Sequence, residues 1–284
     1  ANIQATPVTI ITDPLFDKKM GDLLSFQEFA VMLELENYGD VLLSPNQVND
    51  QNHVFSMAGK QLLKLDPNLK SPAVFSIVPE MSQIVATASF DLDGSKLSGN
   101  MNLELKAAAN PYFSLINDAS AIKSVVKGGI AAKDIESTNM VLLSQEKSRS
   151  HLEIKKEEAF KKLHHYMSID IPYIKGGVKD WHYDVLPAER NAALEIPESI
   201  HEKYVYTFTF PEDLVLVSEP LNIEVANDAG YLFIKLENAN NRLVVTREIK
   251  LSNKIIEKEM YDGFREIMNT WNHANFQKIL FKSE

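Results

Sequence analysis

The clearest alternation of large and small side chains lies between residues 204 and 210. Tyr204, Tyr206, Phe208 and Phe210 alternate with smaller, partly polar residues, and a period of two places all four rings on one face of a β-strand. A face that carries four aromatic rings has to be shielded from water. We therefore expect this strand to lie inside a sheet. We also expect other parts of the chain to pack on its aromatic face.

Shorter apolar runs precede this strand near the start of the chain. Residues 7–12 form one run, and residues 26–36 and 41–43 form two more that are separated by turn-forming residues. This arrangement predicts a strand followed by a β-hairpin. Residues 66–79, in which prolines recur, are the best candidate for a linker.

Residues 84–105 alternate in the same way around Asp93-Gly94 and predict a second β-hairpin. The Asp-x-Asp-Gly sequence at this turn is also found in calcium-binding loops. An EF-hand loop, however, has its glycine at the sixth position and a glutamate at the twelfth, whereas Gly94 is at the fourth. The pattern therefore favours a hairpin turn over a calcium site.

Two stretches have the spacing of helices. Residues 111–127 begin with a proline in the first turn and end at a pair of glycines, and residues 256–271 place their apolar side chains on one stripe. We expect both helices to cover the sheet. Trp271 completes the second stripe, which predicts that it anchors this helix to the core instead of facing a ligand.

The elements together predict a mainly β chain of the α+β class, an antiparallel β-sandwich with two covering helices. The sandwich would take residues 71–284, including three further β segments within residues 138–171. Residues 1–70 would be the last strands of a preceding domain. The composition, 45% hydrophobic and 24% charged residues, is that of a globular protein with a substantial core.

Charge and composition exclude several classes of function. The formal net charge is −10 without a basic cluster, which argues against nucleic-acid binding. The chain has no cysteine, and so it has no disulfide, thiolate nucleophile or cysteine-ligated zinc of its own. No apolar run approaches the ~20 residues of a membrane span. The first residues lead directly into a strand without a signal segment, which we interpret as the start of a piece of a longer protein.

Candidate chemistry is sparse. Histidine, an acid and aromatic residues cluster at Trp181, His182, Tyr183 and Asp184, which we take as the candidate binding site, with simple packing of the loop as the favoured alternative. His164 and the residue after it are adjacent, and on a strand they would face opposite sides. No set of ligands at metal spacing is visible, so we expect neither a metal nor a cofactor. Gly-x-Ser-x-Gly and glycine-rich phosphate loops are missing from the sequence.

Three segments near the start of the chain resemble the end of a transglutaminase-like, papain-like core found in large bacterial multidomain proteins. Such a core ends with a Pro-Val-led apolar strand, a strand that opens Phe-Asn-His and a strand that ends Leu-Asp-Pro-Thr. Residues 7–12, 26–31 and 42–46 have this order and spacing. Residues 71–282 resemble the β domain of unknown function that follows the core in those proteins.

The resemblance implies that the catalytic set is degenerate. The position of the family's histidine is Glu28, that of its aspartate is Ser44, and the nucleophilic cysteine would precede Ala1. Thiol catalysis requires a thiolate, an imidazole that activates it and an acceptor that orients the ring. Neither Glu28 nor Ser44 can take these parts, so we expect no catalytic residue in this chain.

The resemblance therefore implies a non-catalytic binding or scaffold portion of an exported protein, periplasmic or attached to the cell envelope, whose ligand is a peptide, a protein or a glycan. Two alternatives stay open. The chain could be the C-terminal part of an active cysteine protease or transglutaminase, with an upstream cysteine and a histidine such as His53. It could also be a carbohydrate-binding module, which requires the rings of Trp181 and Tyr183 to be exposed and coplanar.

Overall fold

The computed structural model describes residues 4–11, 26–35, 39–43, 61–65, 73–76, 80–183 and 185–283. The chain divides into two compact units, Ala1–Glu80 and Met81–Glu284. The sequence pattern places the boundary between its two parts somewhat earlier, near residue 70. Each unit contains a β-sheet of its own and is described separately.

The first unit contains a five-stranded sheet in the order β3-β2-β1-β4-β5, and all neighbouring strands are antiparallel. Its strands are β1 (Gln4–Ile11), β2 (Phe26–Leu35), β3 (Gly39–Leu43), β4 (Gln61–Lys64) and β5 (Ala73–Ser76). The predicted strand and hairpin are β1, β2 and β3. Part of the stretch expected to be a linker is strand β5. Its four residues lie between prolines and pair with β4 as an edge strand.

The second unit is also mainly β. Its strands and α-helices are β6 (Ser82–Asp93), β7 (Lys96–Lys106), α1 (Tyr112–Asn117), β8 (Val126–Lys127), β9 (Ile135–Leu143), β10 (Lys147–Lys156), β11 (Lys161–Leu163), β12 (Tyr166–Asp170), β13 (Tyr173–Ile174), β14 (Leu194–Glu195), β15 (Ile200–Thr209), β16 (Leu214–Leu216), β17 (Leu221–Asn227), β18 (Gly230–Ala239), β19 (Arg242–Leu251), β20 (Ile255–Ile256), α2 (Tyr261–Trp271) and β21 (Lys278–Ser283). The predicted fold class, mostly β with few helices, is confirmed.

The main sheet of this unit has eight strands, in the order β17-β18-β19-β15-β6-β7-β10-β9. The strand with the aromatic alternation is β15, and it lies inside the sheet as expected. The sheet is mixed instead of fully antiparallel, because β15 runs parallel to β6 while it is antiparallel to β19. A parallel pair needs a long crossover connection, and the elements from β7 to β14 provide it.

Two of the aromatic rings of β15 fit because small residues lie opposite them. Tyr204 and Tyr206 are buried, and their parallel neighbours on β6 are Ala86 and Ala88. The two methyl side chains leave room beside each ring on the same face of the sheet. A four-stranded sheet, β11-β12-β21-β16, contributes buried residues to the same core, and the ring of Phe281 from β21 belongs to it.

The first predicted helix, over residues 111–127, is shorter in the structure. Helix α1 ends at Asn117, and Asp118 adopts an extended conformation with φ −151°. The carboxylate of Asp118 accepts a hydrogen bond from the backbone N–H of Ser120, 2.9 Å away. Aspartate offers the backbone this local alternative to a helix. The following residues therefore form a 3₁₀ segment and the short strand β8.

The second predicted helix is confirmed as α2, although it begins five residues after residue 256, which instead lies in β20. Its apolar stripe is buried against the core, and the buried members are Tyr261, Phe264, Ile267, Met268 and Trp271. Trp271 thus anchors the helix, as predicted. Within the described ranges no helix is both long and apolar enough to traverse a membrane.

Two hairpins test the turn predictions. The turn between β6 and β7 consists of Gly94 and Ser95, directly after Asp93, so the predicted hairpin is confirmed. The last of the three β segments expected within residues 138–171 instead forms a hairpin of β11 and β12, with His164 and His165 in its turn. The expectation that these histidines face opposite sides of a strand is therefore wrong. His164 has a left-handed backbone with φ 55°, a conformation that histidine tolerates in turns.

Candidate functional site

The residues predicted as a binding site lie in the connection between β13 and β14. His182 is exposed with φ 58°, and Trp181 and Tyr183 are half-buried. The ring of Tyr183 is perpendicular, at 83°, to that of Trp181 and to that of Phe264. Asp184 lies outside the described residues. Because two perpendicular rings do not form the coplanar platform required, the carbohydrate-binding alternative does not meet its own condition.

The degenerate catalytic positions fall in the first unit. Glu28 lies in β2 opposite Ile10 of β1, and its side chain is outside the described part of the structure. Ser44 and His53 also lie outside the described residues. The expectation that these positions have no catalytic function therefore stays a prediction.

A buried polar cluster that the sequence analysis missed lies in the core of the second unit. We call it the Glu–Arg cluster, and it consists of Glu202, Tyr204 and Tyr206 on β15 and Arg247 on β19. Glu202 is 1% exposed and Arg247 is 4% exposed. Tyr204 and Arg247 are directly paired across the two strands. Buried charges are costly without partners, so the contacts of each member decide what the cluster can do.

Both carboxylate oxygens of Glu202 accept hydrogen bonds. Oε1 accepts one from the backbone N–H of Val178, and Oε2 accepts one from the hydroxyl of Tyr204 at 2.7 Å. Gly177 makes this approach possible, because a Cβ at that position would lie 2.5 Å from Oε1. Burial nevertheless raises the pKa of Glu202 to about 7, against the lowering effect of these hydrogen bonds and of the charge of Arg247.

Arg247 is only partly satisfied. Its Nη2 donates to the backbone carbonyl of Trp271 at 2.7 Å, and its Cζ lies 4.2 Å from the centroid of the Trp271 ring. Burial lowers its pKa to about 10, so the guanidinium is charged at neutral pH. Its Nε is buried without a hydrogen-bond partner among the described residues, as is the hydroxyl of Tyr206. An unsatisfied charged donor in a core is uncommon, and it singles out Arg247 within the cluster.

The two tyrosines of the cluster should respond in opposite ways to loss of their hydroxyls. Tyr206→Phe removes an unpartnered buried hydroxyl and is expected to be neutral or to stabilise the second unit by up to about 1 kcal/mol. Tyr204→Phe removes the hydroxyl that donates to Glu202 and accepts from Ile174, and it should cost about 1–3 kcal/mol. Urea denaturation followed by circular dichroism measures both. A greater loss for Tyr206→Phe would contradict the assignment.

A cavity of about 430 Å³ has Arg247 in its wall. Its lining residues are Gly128, Gly129, Asp170, Ile171, Tyr173, Lys179, Arg247, Ala274, Gln277 and Lys278. Three of these side chains are cations and one is a carboxylate. The carboxylate, Asp170, is already paired with Lys161. The cavity is therefore cationic, although the chain as a whole is acidic.

The wall of the cavity is held in place by contacts around Lys179. Its Nζ donates to Oε1 of Gln277 and lies 5.5 Å from the centroid of the Tyr173 ring. Gln277 in turn donates through Nε2 to the carbonyl of Asn272 at 2.7 Å. A groove of about 1030 Å³ shares Gly128, Gly129 and Tyr173 with the cavity. In the described part of the chain, no cluster of three or more His, Asp or Glu side chains could hold a metal ion.

Comparison with known proteins gives matches to a family model and to solved structures. A family model described as a domain of unknown function with a solved structure, DUF3858, matches residues 166–281. The chain also resembles the crystal structure of a protein from Parabacteroides distasonis described as a putative protease, with a TM-score of 0.56 and 16% identity. That likeness is one of fold. Curated proteins contain no match to the sequence.

The extent of the two matches differs. The structural match covers 99% of this chain and 40% of the Parabacteroides protein, so the chain spans less than half the length of that relative. The family match covers β12 to most of β21 and includes every member of the Glu–Arg cluster. It also includes most of the cavity lining, but the glycine pair Gly128 and Gly129 precedes it. The cluster and cavity are thus a feature of the part that matches the family.

Proposed function

We propose that this chain is a non-catalytic binding portion of an exported, transglutaminase-like protein, and that its second unit binds a peptide. The observation that carries the proposal is the cationic cavity beside Arg247, which shares a wall with a larger groove. Cavities of roughly 300–1,000 Å³ are the size of ligand sites, and the groove provides an extended surface next to one. A short peptide that lies in the groove would place one residue in the cavity.

The non-catalytic part of the proposal is supported by the sequence. No cysteine is present in the 284 residues, and the resemblance assigns the family's histidine and aspartate positions to Glu28 and Ser44. Cysteine chemistry would need both positions to be functional. Export to the periplasm or cell envelope belongs to the same proposal, and fractionation of cells that produce the parent protein tests it.

Peptide binding is tested with fluorescein-labelled octapeptides of varied sequence and the full 284-residue chain. We expect saturable anisotropy changes, with neither cleavage nor transamidation of the peptides detected by mass spectrometry. Lys133→Glu, at an exposed lysine that lines the groove, should weaken binding, whereas Lys258→Glu, at an exposed lysine outside it, should not. Turnover of any peptide would overturn the non-catalytic assignment. Equal effects of the two substitutions on binding would show that the peptide does not bind in the groove.

A second candidate function is that of the C-terminal part of an active cysteine protease or transglutaminase. The observation that favours it is the fold similarity to a protein described as a protease, of which this chain spans 40%. This candidate predicts that the parent protein has a thiol whose alkylation by iodoacetamide abolishes hydrolysis or transfer. If alkylation of the parent protein has no effect on any activity, the non-catalytic proposal is favoured.

A further inference from the structure

We propose that the cavity beside Arg247 is a carboxylate-binding site, in which the guanidinium of Arg247 and the ammonium of Lys278 hold the C-terminal carboxylate of a peptide. This proposal rests on the peptide-binding function proposed above and names the group that is recognised. An α-carboxylate and the side-chain carboxylate of an acidic residue share this chemistry, and the experiment below distinguishes them.

The state of Arg247 is the first reason. Its guanidinium is held from one side by the carbonyl of Trp271 and by the ring of the same residue, so its orientation is fixed before any ligand binds. Its buried Nε has no acceptor in the described part of the structure. A guanidinium binds planar carboxylates through two parallel hydrogen bonds, and a fixed fork loses little freedom on binding. A carboxylate in the cavity would bind where Arg247 lines the wall.

The charge of the cavity is the second reason. Lys179, Arg247 and Lys278 contribute positive charge, and the carboxylate of Asp170 is already paired with Lys161. In a chain with a formal charge of −10, such a local excess of cations concentrates anions.

The shape of the cavity is the third reason. Gly128 and Gly129 have φ of 81° and 89°, a conformation that favours glycine, and because they lack side chains they leave bare main chain in the wall. Ile171, Tyr173 and Ala274 add an apolar side. A volume of about 430 Å³ is at the small end of ligand sites. The site therefore suits the last residue of a peptide better than an internal segment.

The chain contains its own reporter for this site. Only two tryptophans are present, and Trp271 lies against Arg247. In a Trp181→Phe background, Trp271 fluorescence is titrated with N-acetyl-L-leucine and with N-acetyl-L-leucinamide, which lacks the carboxylate. We expect saturable binding of the acid and at least ten-fold weaker binding of the amide. N-acetyl-L-aspartic acid α-amide carries only a side-chain carboxylate and tests whether the site recognises acidic side chains. If it binds as tightly as N-acetyl-L-leucine, the site is assigned to acidic side chains.

Substitutions connect binding to the cations. Lys278→Gln is expected to weaken acid binding three- to ten-fold, and Lys282→Gln, at an exposed lysine of the same strand outside the cavity, should leave it unchanged. Arg247→Lys keeps the charge but not the fork and should weaken it further. If Arg247→Lys does not fold, the proposal is decided by the effect of Lys278→Gln and by the ratio of the affinities for N-acetyl-L-leucine and N-acetyl-L-leucinamide.

Three outcomes would overturn the carboxylate proposal: equal binding of acid and amide, no effect of Lys278→Gln, or tighter binding of inorganic phosphate than of N-acetyl-L-leucine. The two proposals fail separately. Octapeptides that bind regardless of a free or amidated C-terminus would leave the peptide-binding function standing and remove the carboxylate site. Acid binding without octapeptide binding would keep the carboxylate site and remove the peptide-binding function.

Discussion

Trp271→Ala is expected to lower the free energy of unfolding of the second unit by about 3–5 kcal/mol, the usual cost of removing a large aromatic side chain from a core. The ring is 2% exposed and closes the apolar stripe of α2. It also stacks at 24° to the ring of Tyr204, with centroids 6.2 Å apart. Its loss would leave a cavity between the helix and β15.

The same substitution removes the aromatic face against which Arg247 lies. A buried guanidinium that loses a cation–π partner is more costly to bury, which adds to the cavity term. Trp271→Phe keeps an aromatic ring and should cost less. Trp181→Ala, at the half-buried tryptophan of the β13–β14 connection, is the matched control. Urea denaturation followed by circular dichroism measures all three, and a loss below 1 kcal/mol for Trp271→Ala would contradict the anchoring assignment.

The anchoring helix and the aromatic strand could be predicted from the sequence because each has a strong and complete period. In α2 five apolar residues recur at helical spacing, and in β15 the rings recur at every second position. Periodicity of this kind reports which face is buried. The parallel pairing of β15 with β6 could not be predicted, because it depends on a crossover of many elements and no local pattern specifies it.

The Glu–Arg cluster did have a signal in the sequence. Glu202 precedes Tyr204 by two residues and so shares the face of the rings, and Arg247 has the same phase as the apolar Val245 and Ile249. A charged residue in phase with an apolar face can be either buried or at the rim of a sheet. The pairing of Tyr204 with Arg247 decides between these, and it is a long-range contact.

The predicted binding residues show how little adjacency in the sequence says about a site. Trp181, His182 and Tyr183 are adjacent in sequence, which suggests one site, but the structure packs the rings of Trp181 and Tyr183 edge to face and leaves His182, with its left-handed backbone, exposed. The residues of this connection that the structure brings to the cluster and the cavity are Val178 and Lys179. They carry no chemical motif, and only their contacts reveal them.

Glu202→Gln is expected to leave the stability of the second unit near that of the wild type at pH 5 and to make it more stable at pH 8, by about 2–3 kcal/mol. The pKa of Glu202 is about 7 in the folded chain and near 4.5 when exposed. Between these values the folded state holds a proton that the unfolded state has released. Ionisation of Glu202 therefore does not lower the free energy of unfolding below pH 4.5. As the pH rises from 4.5 to 7, it lowers that free energy by about 1.4 kcal/mol for each unit of difference between the two pKa values.

Glutamine imitates the protonated carboxyl group and does not ionise, so this loss should be absent in the variant. Its Oε1 can still accept from the N–H of Val178. Glu202→Ala is a different change, because it leaves that N–H and the Tyr204 hydroxyl without their acceptor. It should cost about 3 kcal/mol or more at pH 5, and less at pH 8, because alanine also removes the ionisable group that destabilises the wild type there.

Glu248, on the neighbouring strand β19, provides a matched control of opposite sign. Burial alone would raise its pKa, but hydrogen bonds from Lys203 at 2.9 Å and from His201 at 2.7 Å hold the pKa below its usual value. Its contribution to stability is thus present above pH 4.5 and lost in acid. Glu248→Gln should therefore be less stable than the wild type at pH 8, where Glu202→Gln is more stable. Denaturation of both variants at pH 5 and pH 8 measures the difference, and parallel pH dependence of wild type and Glu202→Gln would show that Glu202 is ionised throughout and has another partner.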